Sequence, residues 1–151
     1  MSQAIAAYVH YLAIFALFAL LSIEHILFKL PLDLPRARSL VITDRAYGIC
    51  AVLVLLSGAA RVLWFGKGST YYLHNSLFHA KVGLFVLVAL LSIGPTVRFI
   101  SWGSALKAGV VPAVSERQGQ WLTWAIRLEL LLLILIPLCA VLFARGYGNA
   151  S

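Results

Sequence analysis

Charge is scarce in this sequence, and negative charge scarcer still. Of 151 residues 11% are charged and five are Asp or Glu, while 62% are hydrophobic and the mean hydropathy is +0.96. A soluble domain is roughly a quarter charged and about half apolar, so that class is excluded. There are two cysteines, Cys50 and Cys139, and one methionine, Met1. Along helices the two cysteines fall at depths roughly 15 Å apart, which excludes a disulfide between them. They read as small packing residues. No glycine loop able to cradle a phosphate is present, and Ser57, Ser92 and the buried acids form no Ser-His-Asp set.

What the chain has in abundance is long apolar runs. Four reach the roughly 20 residues that a helix needs to cross the hydrocarbon core: about 4–28, 44–65, 77–99 and 121–144. The fold class is therefore an all-α integral membrane four-helix bundle in one domain, residues 1–151. The first run is too long for a signal peptide, and its basic residues follow it instead of preceding it. Pro31, Asp33 and Pro35 break the chain after it, and Thr43 or Asp44 is the expected N-cap of the second span. Gly66, Gly68 and the polar residues to Ser76 make a hairpin loop, with Trp64, Tyr71 and Tyr72 suited to the membrane interface. Pro95 should kink the end of the third span. The segment from Gly103 to Gln118 reads as a loop with room for a short interfacial helix, and Arg145-Gly146 stops the last span.

The formal net charge is +7, but the basic residues sit at the ends of apolar runs and form no basic face. No nucleic-acid partner is expected; the partner is the lipid bilayer. Lys29, Arg36, Arg38, Arg98, Lys107 and Arg117 lie in the first and third loops, whereas the second loop and the termini carry little beyond Lys67 and Arg145. The positive-inside rule then puts both termini on the non-cytoplasmic side of a prokaryotic inner membrane.

Ionisable residues inside the spans mark function by default, because they are costly there. They fall into two layers. His10, Arg61, His74, His79 and Lys81 lie toward the outer side, and Glu24, His25, Asp44, Arg45, Arg127 and Glu129 toward the cytoplasmic side. Similar depth makes an ion pair between Glu24 and Arg127 the simplest expectation, with Glu129, Asp44 and Arg45 as further members of an intramembrane ion-pair layer. At about 100° per residue, His10 and Glu24 are about 40° apart on one face, and Tyr47, Cys50, Val54, Gly58 and Arg61 share an arc about 80° wide. His79 and Lys81 point about 160° apart, which favours Lys81 inside and His79 at the interface.

Histidine inside a helical bundle can ligate haem iron. His10 is the best candidate metal ligand, with Arg61 and Lys81 placed to neutralise propionates and His79 or His74 as a second axial ligand. A copper or zinc site of His10, His74 and His79 is the alternative metal reading. It lacks any Cys, Met or carboxylate to complete it.

Asp44-Arg45-Ala46-Tyr47-Gly48, Ala60-Arg61-Val62-Leu63-Trp64-Phe65-Gly66-Lys67-Gly68, Ala80-Lys81, Pro95-Thr96-Val97-Arg98-Phe99 and Ile126-Arg127-Leu128-Glu129 together resemble the bacterial family of predicted membrane proteins called domain of unknown function 2214. The resemblance spans nearly the whole chain and implies a fold without a mechanism. More distantly, the early histidine of span one and His79-Ala80-Lys81 resemble the four-helix haem-b group of J-type protoporphyrinogen oxidase and copper-resistance D-like proteins. That resemblance implies haem b ligated by His10, with Lys81 as the lysine of that site. A quinone or redox partner is the accompanying expectation. Glu24-His25 depart from that enzyme's pattern. The functional expectation is a b-type haem-binding redox or electron-transfer protein. Its alternative is a non-catalytic membrane subunit or small transport component held by intramembrane ion pairs.

Overall fold

The structure is a computed structural model that describes residues 1–64 and 73–147. Residues 66–72 of the expected second loop, with Lys67, Tyr71 and Tyr72, and the last residue of the expected second span, Phe65, lie outside the described residues. Helix α1 spans Ser2–Leu27, α2 Leu34–Leu63, α3 Ser76–Ser101, the short α4 Gly103–Lys107 and α5 Glu116–Ala144. Four of these are long and apolar enough to cross a membrane. The chain is a multi-pass membrane protein, a helical bundle that sits in a lipid bilayer.

Local chemistry sets the helix starts, and two of them differ from expectation. Helix α2 begins at Leu34, so its cap lies ten residues before Thr43 and eleven before Asp44, the two expected caps. Asp33 is the N-cap, accepting a hydrogen bond from the Arg36 backbone N–H at 2.8 Å. Pro35 lies in the first turn, where its missing N–H costs nothing. Asp44 is buried in mid-helix instead. Helix α5 begins at Glu116, not near Trp121, because Ser115 and Gln118 form a reciprocal capping box. Asn75 caps α3 by accepting from the N–H groups of Leu77 and Phe78. Helix α3 continues through Pro95 to Ser101, and α4 follows as the short helix between spans three and four.

The long helices pack as two hairpins, α1 with α2 and α3 with α5. The hairpins meet more sparingly, along α1 with α5 and α2 with α3, so that α1 and α3 stand on the diagonal. Lipid tails are as apolar as leucine, so close packing, not removal of water, holds such helices together. That packing is concentrated at one end. Leu17, Leu21, Leu40, Phe99, Leu122 and Ile126 are essentially inaccessible, and the Phe99 ring packs on Phe28 and Trp102 at centroid distances of 6.4 and 5.0 Å. Gly94 permits this closeness, since a Cβ there would overlap the Trp121 ring.

The other end is open. Within residues 2–12, 55–63, 76–87 and 134–144 no side chain is buried. We call these the closed half, which carries the α1–α2 connection, and the open half, which carries the described termini.

Candidate functional sites

The open half holds His10, Arg61 and Lys81. His10 stands on α1 against α2, where its ring meets Gly58, at which an added Cβ would come within 3.2 Å of the ring carbon Cε1. Its Nδ1 is 2.8 Å from Ser57 Oγ. The Ser57 hydroxyl has a single proton and two carbonyls within reach, Leu53 at 2.6 Å and Val54 at 3.2 Å. The His10 ring also interacts with the Val54 backbone, so which of His10 and Ser57 donates follows the tautomer of the ring. Sequence reasoning missed Ser57 in this role, although its place one turn before Arg61, beside Gly58, puts it at the edge of the inward arc of α2.

Arg61 and Lys81 both lie close enough for their charges to act on the His10 ring and on each other. Arg61 lies over the Tyr11 ring at 5.5 Å, and the Lys81 ammonium is 5.4 Å from the Phe78 ring and 5.8 Å from that of Phe143. Among the described residues neither cation has a salt-bridged carboxylate. His79 is not brought into this group. It is exposed, and its Nε2 is 2.7 Å from the Leu73 carbonyl. His74 is likewise exposed, and among the described residues no three His, Cys, Asp or Glu side chains are grouped for a metal ion.

The closed half holds a layer that differs from the expected ion pairs. Glu24 on α1, Asp44 on α2 and Glu129 on α5 are 1%, 6% and 1% exposed. The Glu24 and Asp44 carboxyls stand within hydrogen-bonding reach of each other, and Glu129 lies near both. Thr96 on α3 donates to Asp44 Oδ1 at 3.1 Å, and Tyr47, 3% exposed, faces all three acids.

The expected pair of Glu24 with Arg127 is not formed. Arg127 donates from Nε to His25 Nε2 at 3.2 Å and lies 5.9 Å from the Trp124 ring. The physical reason is helical phase. Glu24 points into the bundle, whereas His25 and Arg127 occupy the flank where α1 and α5 meet lipid and where a long guanidinium stem can reach the interface. Arg45 is exposed and pairs with none of the acids. The salt bridge that does occur among the described residues, Asp33 with Arg36 at 3.9 Å, is outside the layer. Cys50 and Cys139 are free.

The family described as Predicted membrane protein (DUF2214) matches residues 2–148. The chain belongs to this family. The family carries no stated activity, and its description agrees with the four spans. No curated protein and no solved structure matches the chain.

Proposed function

We propose that this family member is a b-type haem-binding redox or electron-transfer protein of a prokaryotic inner membrane, with both termini on the non-cytoplasmic side. The observation that carries the reading is the His10–Ser57 hydrogen bond. A metal-binding histidine commonly donates its second ring N–H to a neighbour, which fixes the tautomer and aims the free nitrogen. Ser57 takes this part for His10 when the ring carries its proton on Nδ1, and in that tautomer the donor set fits the group. Arg61 and Lys81 supply positive charge beside His10, where propionates need compensation. Haem, when bound, would supply one-electron transfer.

Each residue of the chain has a task in this reading. His10 would hold the iron, Ser57 would hold the His10 ring, and Arg61 and Lys81 would pair with the carboxylates of the group. His79 is left out, because its Nε2 is turned to the Leu73 carbonyl. A quinone or a redox protein would be the electron partner. Purified protein expressed with ample haem should show a Soret band that His10→Ala abolishes and Lys81→Ala weakens. A wild-type chain without that absorbance would overturn the reading.

A second reading, a non-catalytic membrane subunit or small transport component, is favoured by the carboxyl layer. Three acids without a cation among the described residues are more than packing requires. Wild-type protein without a Soret band would put this reading first.

A further inference from the structure

The carboxyl layer of the closed half has an acceptor surplus. An ionised carboxylate has no hydrogen to donate. Glu24, Asp44 and Glu129 together present six carboxyl oxygens, and the neighbouring donors are the hydroxyls of Thr96 and Tyr47. Glu24 Oε1 and Glu129 Oε1 are buried without any hydrogen-bond partner, on side chains that are each 1% exposed.

Electrostatics sharpens the problem. The groups facing the layer are Glu24 from α1, Asp44 and Tyr47 from α2, Thr96 from α3 and Glu129 from α5. None is cationic. Arg127 meets His25 instead, and Arg45 is exposed. Apolar side chains close the layer on both sides, with Leu17 and Leu21 on one and Phe28, Leu40 and Phe99 on the other. Three ionised carboxylates at this depth would repel one another with no countercharge, an arrangement that the low-dielectric interior does not support.

We propose that Glu24, Asp44 and Glu129 form a buried proton-binding site, in which one proton is shared between Glu24 and Asp44 at neutral pH. The Glu24 and Asp44 carboxyls can hydrogen-bond to each other only if one of them carries hydrogen. A divalent metal would need several oxygens in a regular shell, and no such grouping occurs among the described residues. The site is independent of haem. A chain without a Soret band would leave it standing.

The test is infrared spectroscopy of the full-length protein in lipid. The chain has five Asp and Glu residues, and the two outside the layer, Asp33 and Glu116, are exposed, so the carboxyl spectrum is simple. At neutral pH the wild-type protein should show a protonated-carboxyl C=O band that shifts in D2O. Glu24→Gln should weaken it, because the amide can donate to Asp44 in place of the proton, and removal of all three carboxyls should abolish it. Absence of the band in the wild type, or its persistence in the Glu24→Gln, Asp44→Asn, Glu129→Gln triple variant, would overturn the proposal. Loss of the band on adding sodium at constant pH would assign the site to a metal cation and overturn it equally.

A second measurement needs no variant. A lipophilic carbodiimide, which attacks protonated carboxyls in apolar surroundings, should label wild-type Glu24, Asp44 or Glu129, as mapped by mass spectrometry. Adducts confined to Asp33 and Glu116 would contradict the site.

Discussion

The two halves of the bundle use the same helices for opposite purposes. Among the described residues, apolar side chains of the closed half interlock around acids that have no cation, whereas cations of the open half face a histidine with no acid and no side chain is buried within residues 2–12, 55–63, 76–87 and 134–144. The contrast shows where stability and binding reside. A ligand site needs space and unsatisfied groups, and both are affordable only because packing elsewhere holds the helices.

The largest expected effect breaks the closed half. Phe99→Ala should lower stability by about 3 to 5 kcal/mol, the usual loss for a buried phenylalanine. Leu87→Ala, on the exposed side of the same helix in the open half, should change it by less than about 0.5 kcal/mol. Denaturant titration of the detergent-solubilised protein followed by circular dichroism compares the two. Equal losses would remove the distinction between halves.

A smaller effect comes from glycine. At Gly94 a Cβ would overlap the Trp121 ring, whereas at Gly83, in the open half of the same helix, nothing lies within 4 Å. Gly94→Val should therefore cost roughly 1 to 3 kcal/mol more than Gly83→Val, as overpacking does. The same titration reads it, and an equal effect would mean that α3 can slide away from α5.

How much of this was legible in the sequence follows from what each kind of signal depends on. The four spans were legible because their length and hydropathy are local properties of the chain. The helix starts were also local, yet Asp33-Leu34-Pro35 and Ser115-Glu116-Arg117-Gln118 carry start signals that lie outside the apolar runs, and hydropathy alone places the helices too far in. The grouping of Glu24 with Asp44 and Glu129 was legible as a layer of similar depth. Its chemistry was not. Depth brought Arg127 to the same level, but only the rotation of α5 against α1 decides that the guanidinium meets His25 and not Glu24. The role of Ser57 was hidden for the same reason, since it depends on the contact between α1 and α2.

The smallest effect sharpens the open half. Ser57→Ala removes the hydroxyl that meets His10 Nδ1, and a neutral hydrogen bond contributes about 0.5 to 1.5 kcal/mol net. Haem affinity should fall several-fold to about tenfold while helicity is kept, and Ser57→Thr should restore most of it. Haemin titration followed in the Soret region measures this. Unchanged affinity in Ser57→Ala would free His10 from the orienting role of Ser57.

Hydrogen exchange of the purified protein in lipid, without and with added haemin, tests most directly whether the open half is the ligand site and the closed half the scaffold. Protection should rise within residues 2–12, 55–63, 76–87 and 134–144, leave the helices around Leu21, Phe99 and Ile126 unchanged, and disappear in His10→Ala. Haemin that protects no segment, or protects the closed half instead, would contradict the account.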